Sequence, residues 1–279
     1  MNADIWTIVS KYTNNRAVIL CLNKDINYNV RFYKITLNVP IDISKFICAS
    51  CVKTLIIRCN DFPNDLLKNV YPFALEMRHC SSNTDISHMK NLKGLFIYGG
   101  HLPQEGITKL NLEFLECSYN EHIVDVSFMS NLMFLICTFS GIKQSGIIGC
   151  NLTGLFCGGQ KDITDVSYMS NLRELDCSST GITQKGIQQL KLTHLKCSHQ
   201  REITDVSFMT ELEELGCCLS GITQKGIGKI NLKKFDCVCQ KEITDISFMT
   251  NLKKLNSCDS GIDSEVAKKY QTFEWGYTF

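Results

Sequence analysis

The cysteines are the residues of this chain with the most potential chemistry, because thiolates bind metals, form disulfides and attack electrophiles. The 279-residue sequence contains 16 of them. A position that accepts leucine, isoleucine, methionine or cysteine is a core position, where a thiol packs as a small apolar group. Seven cysteines recur every 20 residues at such a position, which is apolar in four earlier blocks: Cys117, Cys137, Cys157, Cys177, Cys197, Cys217 and Cys237, after Leu37, Ile57, Met77 and Ile97. We therefore predict reduced, packed thiols rather than disulfides or metal ligands.

Three further sets of residues could carry chemistry, and each has a simpler interpretation. Cys48 and Cys51 form a CxxC motif, but no second CxxC or histidine pair at zinc-finger spacing accompanies it. His194, His199 and Cys218 fall on adjacent blocks, yet chance neighbours are expected among 6 histidines and 16 cysteines. A recurring aspartate precedes a turn, which it is placed to cap: Asp125, Asp165, Asp205 and Asp245.

Composition and motifs exclude several classes of function. The chain lacks a glycine-rich phosphate loop and a nucleophile at a signature spacing from a base, so we predict no enzyme, no catalytic residues, no metal and no cofactor. A net charge of +1 is not that of a general nucleic-acid binder. The longest apolar run suits neither a signal peptide nor a membrane span, which predicts a cytoplasmic or nuclear protein.

The elements that position these residues follow from a 20-residue period. Residues 1–30 and 271–279 flank twelve blocks of 20 that fill residues 31–270. The second, fifth and seventh positions of a block are apolar, as in Leu172, Leu175 and Cys177. The fifth and seventh positions alternate with polar ones, as in a strand with one buried face. Such a period predicts a solenoid whose units contact mainly their neighbours.

The block resembles the LxxLxLxxNxL motif of leucine-rich repeats, with cysteine often at the third leucine and serine, threonine or glutamine often at the asparagine. Two block types alternate: residues 203–209 (ITDVSFM) are similar to internalin-like repeats, and residues 181–187 (GITQKGI) to cysteine-containing repeats. The resemblance implies an α/β repeat solenoid, a horseshoe with parallel strands on the concave face and short 3₁₀ or helical turns on the convex face. We also expect the repeated glycines to have positive φ, and short side chains at the asparagine position to weaken the turn.

The two ends depart from the block. Ile5, Val9 and Tyr12 share a helical face, which predicts a helical N-terminal cap over residues 1–30. The same stretch resembles a shortened F-box without its Leu-Pro, an alternative that implies a substrate receptor of a cullin ubiquitin ligase with its adaptor bound at residues 1–30. Residues 271–279 alternate aromatic side chains, which predicts a C-terminal cap.

Apolar side chains cluster on the predicted concave face, which block positions 4, 6 and 8 form. The middle blocks are aromatic there, whereas the later blocks alternate in charge. Aromatic anchors inside a polar rim are typical of protein-binding surfaces; the alternative is that curvature or neighbouring side chains bury some of the rings. The predicted partner-binding residues are Phe96, Tyr98, Phe114, Tyr119, Phe134, Ile136, Phe139 and Phe156.

The sequence therefore predicts a non-enzymatic scaffold that binds a protein partner through its concave face. The repeats are uneven in consensus and rich in cysteine, lysine and asparagine. In this they resemble leucine-rich-repeat proteins of large DNA viruses that infect amoebae. That resemblance implies a viral protein whose partner is a host protein.

Overall fold

The computed structural model of the chain describes residues 32–38, 40, 52–58, 63–68, 70–228 and 230–273. They belong to two compact units, Met1–Cys150 and Asn151–Phe279. The predicted N-terminal cap with its F-box alternative, the CxxC of Cys48 and Cys51, and residues 274–279 of the predicted C-terminal cap lie outside the described residues.

The first unit is built on six described strands that follow one another at the block period. Each strand pairs in parallel with the next at a register of 20 residues, as in Leu55↔Leu75 and Leu115↔Leu135. The register shows that each block contributes one strand in the same phase. The strands are β1 (Phe32–Leu37), β2 (Val52–Ile57), β3 (Ala74–Cys80), β4 (Gly94–Gly100), β5 (Phe114–Glu116) and β6 (Phe134–Ile136).

The second unit repeats this arrangement with six shorter strands. They are β7 (Gly154–Phe156), β8 (Glu174–Asp176), β9 (His194–Lys196), β10 (Glu214–Gly216), β11 (Lys234–Asp236) and β12 (Lys254–Asn256). They also pair in parallel at 20-residue spacing. Beyond β12, Gln271 forms a parallel bridge with Lys254, so the described start of the C-terminal segment continues the sheet.

Short helical turns lie between the strands, and the predicted fold class, an α/β repeat solenoid, is confirmed. The 3₁₀ turns are Asn64–Leu66, Gln104–Gly106 and Gln144–Ile147, and the α-helical turns are Gln184–Ile187, Gln224–Ile227 and Ser264–Ala267. Such turns are all that a 20-residue block has room for after its strand. Within the described ranges, no helix is long and apolar enough to cross a bilayer.

The core of each unit is a stack of the predicted apolar positions. Leu115 and Leu195 at the fifth position have no solvent exposure, and neither do the seventh-position cysteines from Cys117 to Cys237. All cysteines among the described residues are free thiols. Burial raises the pKa of Cys237 to about 12, so this thiol is protonated and unreactive at neutral pH. The described ladder cysteines are therefore packed in the core, at the apolar position that the sequence predicts.

The aspartates that precede the turns are caps, as predicted. In each case the carboxylate accepts a hydrogen bond from the backbone N–H of the serine two residues later, at 2.8–2.9 Å for Asp85, Asp125, Asp165, Asp205 and Asp245. A carboxylate used in this way stabilises a local turn. The row is therefore structural and does not form a catalytic set.

The repeated glycines correct one expectation. Gly141, Gly181 and Gly221 do not have the positive φ that a tight turn would require. Instead, a Cβ at Gly141 would collide with the backbone carbonyl of Glu121, and one at Gly221 with that of Arg201. Glycine is needed because consecutive blocks pack backbone against backbone at this point.

The turn that follows the strand also has more hydrogen bonds than we expected, as the turns at Asn120 and Thr180 show. Asn120 is buried, and its Oδ1 accepts the backbone N–H groups of His122 at 2.9 Å and Ile123 at 3.1 Å. Where the next block type has threonine, the following block supplies a longer side chain: Gln200 Nε2 donates to Thr180 Oγ1 at 2.7 Å. In these blocks a threonine and the glutamine of the following block together take the place of the single asparagine.

Candidate interaction surface

Three phenylalanine rings stack across neighbouring strands on the solvent-facing side of the first unit. The rings of Phe96 and Phe114 have centroids 4.6 Å apart at an interplanar angle of 26°. Those of Phe114 and Phe134 are 6.3 Å apart at 27°. All three side chains are half-buried. Offset stacks at such distances are favourable beyond the area they bury, so the rings form a preorganised surface, which we call the aromatic face together with Tyr98, Tyr119 and Phe139.

The close stack of Phe96 on Phe114 depends on a missing side chain. Gly94 lies opposite Phe114 in the register of β4 and β5. A Cβ on Gly94 would lie 3.4 Å from Cε2 of Phe96, at the limit of van der Waals contact. Phe96 therefore leans over Gly94 toward the next strand, and a larger residue there would compete for the space the ring occupies.

Tyr119 and Phe139 extend the aromatic face beyond the strand ends in an unusual backbone conformation. Their φ angles are 60° and 50°, at a block position that is glycine in the blocks of Gly99 and Gly159. The left-handed region costs a non-glycine residue about 1–2 kcal/mol. Both side chains are nevertheless largely exposed, at 66% and 55%, and their rings stack at 5.6 Å. The same left-handed φ recurs at this block position in the later blocks, from Ser179 to Asp259, so it belongs to the turn of the repeat. The exposure of the two stacked rings makes them candidates for a role in binding.

A carboxylate lies buried in the middle of these rings. Glu116 is 8% exposed and stands between Phe96 and Ile136 in the strand register. Its Oε1 accepts the backbone N–H of Ser118 at 3.0 Å. Burial raises the pKa of Glu116, partly offset by the hydrogen bonds from Ser118. Among the described residues, no lysine, arginine or histidine forms an ion pair with this carboxylate, so its charge is poorly compensated.

An ion pair and a cation–π contact form one rim of the aromatic face. The guanidinium of Arg78 lies 5.7 Å from the ring centroid of Tyr98. Its Nη2 also lies 3.5 Å from Oε1 of Glu76. Tyr98 is 46% exposed. The surface thus already holds one guanidinium over an aromatic ring beside a carboxylate.

The corresponding surface of the second unit is charged, and we call it the charged face. Oε1 of Glu214 accepts from Lys234 Nζ at 2.7 Å and lies 3.5 Å from His194 Nε2. Burial opposes ionisation of Glu214, but the hydrogen bonds from His194 and Lys234 hold its pKa below the usual range. The hydrogen bond to Glu214 in turn raises the pKa of His194. Burial lowers the pKa of Lys196, against the attraction of Asp176 and other carboxylates.

Known structures share this strand-and-turn geometry. The internalin InlF of Listeria monocytogenes matches with a TM-score of 0.55 and 17% identity, over 82% of this chain and 75% of that chain. This is a leucine-rich-repeat fold. The functional domain of InlJ from the same bacterium, described as including a cysteine ladder, matches with a TM-score of 0.53 and 19% identity, over 81% of this chain and 57% of that chain. Comparison with family models and with curated proteins gives no match.

At these identities the similarity establishes the fold alone, and a leucine-rich-repeat fold does not specify a partner. Whether the predicted partner-binding residues are accessible therefore depends on their positions in this chain. Phe96, Phe114 and Phe134 form the stack, and Tyr98, Tyr119 and Phe139 are exposed beside it. Ile136 is 5% exposed in the first unit and Phe156 8% exposed in the second, so both lie beneath the accessible surface.

Glu116, Glu76 and Arg78 were not among the predicted binding residues. A sequence signal for Glu116 was present, because an acid stands at position 6 of a block that lies between two aromatic blocks. Only the structure shows that Glu116 is buried. His194, His199 and Cys218 are not brought together as a group, and no group of three or more potential metal ligands occurs in the described ranges.

Proposed function

We propose that this protein is a recognition scaffold whose aromatic face binds a basic segment of a protein partner. The observation that carries the proposal is the buried carboxylate of Glu116, which lies opposite Phe96 in the strand register, on the same face as the stack of half-buried rings. The rings offer π-faces and apolar area, and the carboxylate offers a charge that this leucine-rich-repeat unit leaves without a cationic partner among its described residues.

Charge and shape together favour an arginine or lysine side chain on the partner. Its aliphatic stem would pack on Phe114 and Phe134, and its cationic head would approach Glu116. An approaching cation would lower the free energy of the ionised carboxylate, which burial now disfavours. Arg78 over Tyr98 is an intramolecular example of the same recognition on the same surface.

The exposed rings of Tyr119 and Phe139 support binding by an independent argument. Both rings are largely exposed and stack on each other outside the core. Tyrosine and phenylalanine are typical anchors of interfaces, where a few residues supply most of the binding energy. We propose that these two rings contact the partner beside the Phe96–Phe114–Phe134 stack.

Selection from a random displayed peptide library tests this function. The wild-type protein should enrich peptides that contain arginine or lysine flanked by apolar residues. The double variant Phe114→Ala with Phe134→Ala should enrich none of them, whereas Lys234→Ala on the charged face should enrich the same peptides as the wild type. Folding of each variant is checked by circular dichroism.

The variant Glu116→Gln separates the surface from its charge preference. It should still bind through the rings but lose the preference for basic peptides. If the wild type selects peptides without any basic residue, the partner chemistry is wrong although the surface binds. If the double phenylalanine variant selects the same peptides as the wild type, the aromatic face is not the binding surface.

Our expectation for the source of the partner rests on the resemblance of the repeats to viral leucine-rich-repeat proteins. A host protein of a virus-infected cell remains our expectation for the source of the basic segment, with the caps at residues 1–30 and 271–279 closing the solenoid. The F-box alternative falls on residues outside the described ranges, and the comparisons with InlF and InlJ concern the repeats.

A further inference from the structure

Two exposed histidines from consecutive blocks meet on the first unit. Nδ1 of His101 and Nε2 of His122 are 3.1 Å apart, and the ring centroids are 5.2 Å apart at 69°. Both side chains are exposed. The two histidines are 21 residues apart and belong to no recognised sequence motif, so the sequence alone did not indicate this pair.

The backbone holds each histidine in place independently of the imidazole contact. The N–H of His101 donates to the carbonyl of Cys80 at 2.8 Å. The N–H of His122 donates to Oδ1 of buried Asn120 at 2.9 Å, and Asn120 Nδ2 is anchored on the carbonyl of Leu102 at 3.2 Å. Fixed backbones on adjacent blocks therefore bring the two rings together before any ligand arrives.

The separation of the two nitrogens suits a shared metal ion. Two imidazole nitrogens bound to one tetrahedral zinc at about 2.0–2.1 Å lie about 3.3 Å apart. The observed 3.1 Å is within a small side-chain rotation of that value. Neutral imidazole is the commonest protein ligand of such ions.

We propose that His101 and His122 form a two-histidine site for a divalent transition-metal ion of the zinc, nickel and cobalt class. His101 Nδ1 and His122 Nε2 are the ligands, and each ring carries its proton on the other nitrogen, so the hydrogen between them moves to the far side of one ring. Water completes the coordination shell. The site is weaker than a four-ligand structural zinc site, and its open positions can accept a ligand from a bound partner.

Titration calorimetry of the full chain with Zn²⁺, under reducing conditions without a chelating reductant, tests the site. His101→Gln and His122→Gln should each lower the affinity by at least about tenfold, the loss that follows even from removing an outer-shell partner. The control His199→Gln, an exposed histidine next to cysteines, should leave it unchanged. Affinity should also fall as the pH is lowered, because a proton competes with the metal for the imidazole nitrogen.

Visible and near-ultraviolet absorption of the Co²⁺ complex identifies the ligand atoms. Nitrogen and oxygen ligation gives d–d bands without sulfur-to-cobalt charge transfer. Strong charge transfer that Cys218→Ser and Cys239→Ser abolish, or an unchanged Zn²⁺ affinity in either His101→Gln or His122→Gln, overturns the proposal. Thermal unfolding without metal shows that each glutamine variant is folded, so that a lost affinity reports a lost ligand.

Discussion

The aromatic face of the first unit and the charged face of the second are built on the same repeat, but they place their carboxylates in different surroundings. In both, residues at alternate positions of short parallel strands project away from the core. On the charged face Glu214 has neighbours of opposite sign in Lys234 and His194. On the aromatic face Glu116 lies buried between Phe96 and Ile136 in the strand register and has no ion pair among the described residues.

The difference shows which surface already satisfies its charges within the chain and which one gains from a bound partner. A face whose charges are paired within the chain gains little from an external cation, because its interactions are already made. A face with a buried, poorly compensated carboxylate and exposed rings gains both charge compensation and apolar burial when a basic partner binds. The pKa directions, lowered for Glu214 and raised for Glu116, express the same contrast.

The largest expected effect tests whether the two units share one kind of core beneath their different faces. Leu115→Ala and Leu195→Ala each remove a fully buried fifth-position side chain. Each should lower the free energy of unfolding by about 2–5 kcal/mol, measured by urea denaturation. A loss below about 1 kcal/mol in either variant would show that its unit collapses around the cavity, and the equivalence of the two cores would fail.

The second prediction concerns binding, and its failure would remove the contrast between the aromatic face and the charged face. Phe114→Ala with Phe134→Ala should weaken a selected basic peptide by about 30-fold or more, since even one interface anchor contributes about 2 kcal/mol. Lys234→Ala and Glu174→Ala on the second unit should change the affinity less than about threefold. Fluorescence anisotropy of the labelled peptide measures all of these. Equal losses from the two sets would mean that the faces do not differ in function.

Much of this contrast could be predicted from the sequence, because a strict period fixes strand, register and face together. Once Leu115 is known to face the core, Phe114 and Glu116 must face away. The burial of Glu116 was beyond the pattern, because the pattern gives the face on which a residue lies but not how far its neighbours cover it. The contact of His101 with His122 was equally hidden, because both residues lie in turns whose path the period does not determine.

The role of the repeated glycines shows the same limit. The sequence predicted where Gly141 and Gly221 would recur but gave the wrong reason for them, because steric contact with the preceding block cannot be seen in one block alone. Local conformational rules apply within a block, whereas these glycines respond to a backbone 20 residues away.

The third prediction sets the two glutamates against each other. Burial disfavours the charge of Glu116, so Glu116→Gln should raise the stability at pH 7 by up to about 1 kcal/mol. Glu214→Gln removes an acceptor of Lys234 and His194 and should lower it by about the same amount. The pKa of Glu116 is raised on folding, so the gain should vanish as the pH falls to about 4.3, the ordinary value.

The pKa of Glu214 is lowered on folding, so its contribution is present above that value and is lost as the pH falls through the folded pKa. The two variants should therefore show stability differences of opposite sign at pH 7 that both shrink toward acid pH. Thermal unfolding between about pH 2 and pH 8 is the measurement, because the contribution of Glu214 is lost only below its ordinary pKa. Differences of the same sign would remove the electrostatic basis of the comparison.

The smallest expected effect separates the conformational cost of a binding residue from its contribution to affinity. Tyr119→Gly and Ser179→Gly both replace a left-handed non-glycine residue, with φ of 60° and 56°, one on each unit. Each should raise the free energy of unfolding by about 0.5–1 kcal/mol, because relief of the left-handed strain outweighs the larger backbone entropy of glycine in the unfolded chain. Only Tyr119→Gly should also weaken the basic peptide. If Tyr119→Gly were stabilising without any loss of affinity, the strained ring would have no part in recognition, and the aromatic face would reduce to the stack on β4, β5 and β6.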